Sequence, residues 1–227
     1  MLKDFRRAIG QASEVLPKVN SDFEQACLWI LTEAFKRMKR EKRYDLTWKE
    51  TRFSACLVGY MRKIRHEEDY PLLRIDPESC LYREEMLKGI EDPDTAPRID
   101  IKISPAWGIH EDVYYGIEAK ILVEKDWRTR DASRLHSRYI ATGIDNFVNG
   151  RYSDKMDRGG MAGYVVQGSA SEIASKINNL LIRDGRNKEK LMNPHSINGC
   201  SDCCQSKHIR TTDNKEIELH HIFLTFV

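Results

Sequence analysis

From residue 23 onward the apolar positions Phe23, Cys27, Ile30, Leu31, Ala34 and Phe35 return every three or four residues, the spacing of a helix that buries one stripe. Asn20, Ser21 and Asp22, with Glu24 close behind, offer capping oxygens at its start. A second stripe follows at Phe53, Cys56, Leu57, Tyr60, Met61 and Ile64, and Thr47 and Glu50 have the spacing of a capping box in front of it. Residues 67–94 are charged and interrupted by Pro71, Pro77 and Pro93, which predicts a helical excursion with loops and little regular sheet.

The period then drops from near 3.6 to 2. Over residues 98–104, Ile99, Ile101 and Ile103 share one face while Asp100 and Lys102 take the other. Over residues 113–122, Val113, Tyr115, Ile117, Ala119 and Ile121 face one way and Glu118 and Lys120 the opposite way. The turn-like Pro105-Ala106-Trp107-Gly108 between them predicts a hairpin. Downstream, residues 131–147 read as a helix turning Leu135, Tyr139, Ile140, Ile144 and Phe147 inward despite Gly143. Residues 161–167 read as a buried strand, and residues 171–182 as a helix with the stripe Ile173, Ile177, Leu180 and Leu181. Residues 206–227 read as a strand pair turning at Asp213-Asn214. The expectation is one α/β domain over residues 1–227, a mixed central sheet flanked by helices, with a helical N-terminal extension (about 1–46) and a C-terminal strand pair (about 206–227).

Composition narrows the function classes. With 41% hydrophobic and 32% charged residues, the chain has the material for a core and does not read as disordered. A net charge of +2, from 37 basic and 35 acidic side chains, excludes a global basic field, so any basic surface is local. Charges interleaved through residues 1–18 are unlike a signal peptide, and no run approaches the roughly 18 apolar residues of a membrane span. Six cysteines, of which Cys27, Cys56 and Cys80 are scattered singly, do not form a disulfide framework; a reducing, cytoplasmic setting is expected.

Glu118, Lys120 and Asp100 carry the candidate chemistry. Hydrolysis of a phosphodiester requires neutralisation of developing charge, an activated water and a donor beside the phosphoryl group. Period 2 sets Glu118 and Lys120 about 7 Å apart on one strand face. If the hairpin forms, Asp100 lies on the neighbouring strand and can share a divalent cation with Glu118; oxygen ligands of this kind suit Mg²⁺. Charges alternating on a half-exposed strand ordinarily form solvated cross-strand pairs. Here Ile117, Ala119, Ile121 and Leu122 indicate a buried strand, where an unpaired Glu and Lys are costly unless they serve a site.

An acidic residue on one strand in Arg98-Ile99-Asp100-Ile101, followed by Glu-x-Lys in Gly116-Ile117-Glu118-Ala119-Lys120, resembles the signature of the PD-(D/E)xK, or restriction-endonuclease-like, nuclease superfamily. The family core of helix, three strands, helix and strand is similar to the order of elements read from about Thr47 to Gln167. The resemblance implies that Asp100 and Glu118 bind Mg²⁺, or Mn²⁺ in its place, with the carbonyl of Ala119 as a further ligand. It implies that Lys120 positions the attacking water and stabilises the phosphoryl charge. Glu50 resembles the extra acidic residue of many members and would complete or orient the site; a capping box is its ordinary explanation. Pro97 departs from the pattern, standing three positions before Asp100 and not directly before it. DNA is the substrate that the family implies, in a bacterial defence or restriction system; because an unregulated cytoplasmic nuclease would attack its host, a protein partner or homo-oligomer is expected to gate activity. The alternative is a catalytically weak subunit that uses the same fold to bind nucleic acid or protein.

Arg128, Arg130, Arg134 and Arg138 precede or lie on the helix after the second strand and are candidate phosphate contacts, although such a run is more often a solvated face. Tyr139-Ile140, Gly143-Ile144, Phe147 and Gly150-Arg151-Tyr152 resemble a segment of restriction-like proteins from bacterial defence loci; core positions are their ordinary role. Cys200, Cys203 and Cys204, flanked by His195 and His208, include zinc-ligand types. Their spacing does not match a double knuckle, and reduced thiols in a loop are expected in preference to a structural zinc. Ser206-x-His208-x-Arg210 would set His208 and Arg210 on one strand face, while the adjacent His220 and His221 would face opposite ways.

Overall fold

The computed structural model describes residues 12–68, 73–105, 113–152, 156–193 and 202–227. Two long helices lead, α1 (Ala12–Arg40) and α2 (Glu50–Glu67), followed by strand β1 (Leu73–Cys80) and a short helix α3 (Glu84–Leu87). Strands β2 (Arg98–Pro105) and β3 (Tyr115–Val123) come next, then α4 (Ala132–Tyr139), which continues through a π-helical turn (Ile140–Ile144) into α5 (Asp145–Val148). The chain closes with β4 (Arg158–Gln167), α6 (Ala170–Arg183), β5 (Cys203–Ile209) and β6 (Glu216–Thr225). The six strands form one mixed sheet in the order β1-β2-β3-β4-β6-β5. β2 runs antiparallel to both of its neighbours, β1 and β3; β3, β4 and β6 run parallel, and β5 returns antiparallel along β6.

Period 2 sorts the strand residues onto two covered faces. One face carries Ile117, Ala119 and Ile121 with Tyr164, Ile222 and Leu224, and takes the stripes of α1 and α2, including Leu28, Leu31, Leu57 and Met61. The other carries Leu122, Met161, Val165 and Phe223 against Tyr139, Ile144, Phe147, Ile173 and Ile177. Burial of each such large side chain contributes about 1.5–3 kcal/mol relative to exposure. β3 is buried along its whole length, so its polar residues stand in a nearly dry layer.

Several local expectations yield to tertiary structure. α1 begins at Ala12, so Asn20, Ser21 and Asp22 lie within the helix and do not cap it. The capping box before α2 does not form: Thr47 bonds Asp45 Oδ1 through both its N–H and its hydroxyl, and the N-cap position is Lys49. Residues 73–80, expected to be helix or loop, form β1 with Leu73 and Ile75 buried; Pro77 is tolerated because β1 has a neighbour on one side only. The helix expected over residues 131–147 is interrupted by the π-helical turn containing Gly143, where a Cβ would stand 2.4 Å from Met161 Cε. The C-terminal strands are integral to the sheet, since β6 pairs with β4 from Arg158↔Glu218 to Val165↔Thr225. Residues 106–108 of the expected hairpin turn lie outside the described residues, but β2 and β3 pair antiparallel as anticipated. No described helix is long and apolar enough to cross a membrane.

Candidate active site

The site begins where a ladder fails. β2 pairs with β3 through Ile103↔Tyr115, Lys102↔Gly116 and Ile101↔Ile117, and the register ends there. On its other side β2 skips a partner between Pro77↔Ile101 and Ser79↔Ile99, where Glu78 adopts a left-handed φ of 45°. Asp100 sits at this irregularity. Beyond it Ile99 crosses to the opposite core face, and Gly116 makes room: a Cβ there would lie 2.5 Å from Ile99 Cδ1.

Because β2 leaves β3, the N–H groups of Ala119 and Ile121 need other acceptors. Asp100 Oδ2 accepts from Ala119 N at 2.7 Å, and Glu50 Oε2, from the first residue of α2, accepts from Ile121 N at 2.9 Å. Lys120 curls its ammonium into the same opening. It donates to Glu118 Oε1 and to the Ala119 carbonyl at 3.2 Å, and lies 3.9 Å from Glu50 Oε1. Thus Glu50, Asp100, Glu118 and Lys120, from three elements, line one gap in the sheet, together with the Ala119 carbonyl.

Glu118 and Lys120 are each only 5% exposed, so three carboxylates face one ammonium with little water to screen them. Burial, then the charge on Asp100, pushes the Glu118 carboxyl up to about 8 against the pull of Lys120. Asp100 is raised as well, chiefly by burial, with the Ala119 N–H and Lys120 opposing. The Tyr152 hydroxyl, which also accepts from Asn146 Nδ2 at 2.9 Å, faces Glu118; burial and that carboxylate hold it well above its ordinary range. Tyr152 follows α5 in irregular chain, and no periodicity in the sequence points to its place beside Glu118.

The donors in the gap are carboxylates and a carbonyl, a hard-oxygen set that fits Mg²⁺ or Mn²⁺. An excess of buried negative charge favours a divalent cation. The oxygens are not gathered into a closed cage: among the described residues, Glu24, Glu218 and His220 are the group of three whose ligand atoms all lie within 4.8 Å of one another.

The arginines separate into different roles. Arg130 is tied to the Leu46 and Trp48 carbonyls at 2.6 and 2.8 Å, bracing the approach to α2. Arg128 is exposed and stacks on Trp127 at 4.4 Å, while Arg134 and Arg138 are exposed on α4. Tyr139, Ile140, Ile144, Phe147 and Tyr152 are core residues. Cys203 is disulfide-bonded and so not the reduced thiol expected, and Cys203 and Cys204 enter opposite core faces of β5, which stops them converging on one ion. Cys200 and His195 lie outside the described residues.

His220 and His221 do face opposite ways. His221 belongs to a buried chain in which Tyr139 Oη contacts His221 Nδ1 at 2.8 Å and Ser206 Oγ lies 2.7 Å from His221 Nε2. Ser206 Oγ is also 2.6 Å from His208 Nε2, and His208 Nδ1 is 2.6 Å from Glu189. Every link can have a donor: Tyr139 to His221, His221 to Ser206, Ser206 to His208, and His208 to Glu189. Burial keeps His221 well below its ordinary range, consistent with a neutral ring. Ser206 and His208 are almost wholly buried, and Arg210 is bound to Asp213 and the Met156 carbonyl, so this set reads as a structural network. No protein-family model matches this chain, and neither a curated protein nor a solved structure matches it.

Proposed function

We propose that the chain is a divalent-cation-dependent phosphodiester hydrolase of the PD-(D/E)xK type, acting on DNA. One observation carries this reading: Glu50, Asp100, Glu118 and Lys120 meet in the gap between β2 and β3, three buried or partly buried carboxylates against one ammonium. The order α2, three antiparallel strands, α4 and the parallel β4 adds support, being the family's core order. A cation bound there would neutralise charge on the phosphoryl group.

Asp100 and Glu118 would hold that cation with the Ala119 carbonyl, and Glu50 would complete or orient the set. Lys120 would release Glu118 and donate to the attacking water and a phosphoryl oxygen, so its contribution grows as charge develops. Arg128, Arg134 and Arg138 present exposed positive charge for the phosphate backbone, a screened and sequence-independent attraction.

The deciding experiment incubates the protein with DNA and RNA in Mg²⁺, Mn²⁺ and Ca²⁺, with Lys120→Ala as control. Cleavage should require a divalent cation, and the variant should lose about 10²–10³-fold in rate while keeping cation affinity, as expected for loss of a donor acting in the transition state. Cleavage by Lys120→Ala at the wild-type rate would show that these residues are not the catalytic centre. A second reading, a binding subunit of weak or no activity in which a partner or second copy takes part, draws on the partners already present. Asp100 and Glu50 cap backbone N–H groups and Lys120 is paired with Glu118. Nucleic-acid binding without cleavage in any cation would favour it.

A further inference from the structure

At the end of β3 away from Lys120, a buried carboxylate oxygen makes no hydrogen bond. Glu24, on α1, is 3% exposed, and its Oε1 has no hydrogen-bond partner although it lies 2.7 Å from His220 Nδ1. The two atoms are close, but the approach lacks the alignment of an N–H donor. The other oxygen of Glu24 is held by the Arg158 guanidinium. Glu218 stands two residues before His220 on β6. Its Oε1 is 3.5 Å from His220 Nε2, and its Oε2 is 4.0 Å from Lys207 Nζ. Glu24 is anchored by Arg158 through one oxygen, and both carboxylates turn an oxygen toward the imidazole, Glu24 toward Nδ1 and Glu218 toward Nε2.

One ligand atom from each of Glu24, Glu218 and His220 lies within 4.8 Å of the other two. A buried carboxylate oxygen without a hydrogen bond is costly, and a metal ion is a group that satisfies it. Imidazole with two carboxylates is the mixed donor set of a borderline transition-metal dication, unlike the all-oxygen set between β2 and β3. The Tyr115 hydroxyl bonds the Gly159 carbonyl at 3.1 Å and lies 3.2 Å from His220 Nδ1, on the same edge of the ring as Glu24.

We propose that Glu24, Glu218 and His220 bind a transition-metal dication of the Zn²⁺ class, which cross-links α1 to β6 on the sheet face covered by α1 and α2. The site is independent of the proposed catalytic residues, and the two readings fail separately.

The test titrates chelator-treated full-length chain with Co²⁺, followed by absorption and calorimetry, and with Zn²⁺, followed by thermal melting. One equivalent should give the d–d bands of a nitrogen and oxygen site, distinct from any Co²⁺ held by the all-oxygen set between β2 and β3, and Zn²⁺ should raise the melting temperature. Glu24→Gln and Glu218→Gln should each weaken binding at least about 10-fold, and His220→Ala should abolish it. Glu118→Gln and Asp100→Asn should keep the nitrogen-and-oxygen d–d bands that His220→Ala loses, whatever Co²⁺ the oxygen set between β2 and β3 takes up. Glu218 is partly exposed, so Glu218→Gln decides the matter if the more buried variants fail to fold. Absence of binding, equal binding by all variants, or thiolate charge-transfer bands placing the ion on cysteine would each overturn the proposal.

Discussion

Replacing Glu118 by Gln should stabilise the protein at alkaline pH and leave it nearly unchanged in mild acid. The side chain ordinarily titrates at 4.5 and is raised to about 8 in the fold, first by burial and then by Asp100. Between those values the folded chain holds a proton that the unfolded chain has released, so stability falls as pH rises through the window. At about 1.4 kcal/mol per pH unit, the loss attributable to this group between pH 5 and pH 9 is about 4 kcal/mol. Gln keeps the shape and polarity of the protonated acid and cannot ionise. The two proteins should therefore agree within about 1 kcal/mol at pH 5, with the variant ahead by about 4 kcal/mol at pH 9. Urea unfolding of both proteins at half-unit pH steps measures this, and titrating groups away from Asp100, Glu50 and Lys120 largely cancel in the difference. Saturating Mg²⁺ should flatten the slope of the wild type alone if Glu118 is a cation ligand. A pH-independent offset between the two proteins, or a wild type more stable than the variant at pH 9, would refute the electrostatic reasoning.

Ser206→Ala removes the link between His208 and His221 and leaves two buried ring nitrogens without a partner. A loss of about 2–5 kcal/mol is expected in denaturant titration, and a loss below about 0.5 kcal/mol would contradict the network. Arg130→Ala should lower stability by about 1–3 kcal/mol through its two carbonyl bonds, whereas Arg134→Ala and Arg138→Ala should change it by less than about 0.5 kcal/mol. Fluorescence anisotropy on labelled DNA should show the converse, with weaker binding and a shallower salt dependence for the α4 variants only.

Period 2 alone placed Glu118 and Lys120 together on a strand among apolar neighbours, and the helical stripes of α2 and α6 were legible for the same reason: neighbours along the chain report the face that is buried. β1 was not legible, because an edge strand needs neither a second ladder partner nor uniform apolar residues, and Pro77 and Glu78 disguise it. Glu50 shows how a local signal can mislead. It has the spacing of a capping box with Thr47, yet its carboxylate bonds Ile121, 71 residues away. The divergence of β2 from β3 at Asp100 opens that position, and it depends on Ile99 packing over Gly116 on the far face. Tyr152 beside Glu118, and Glu24 beside His220, likewise pair residues from distant segments that carry no shared periodicity. Local pattern determines which side of an element is buried, because that is a property of adjacent residues. Which buried polar groups meet depends on where strands part and how helices cross the sheet, and those are properties of the packed whole.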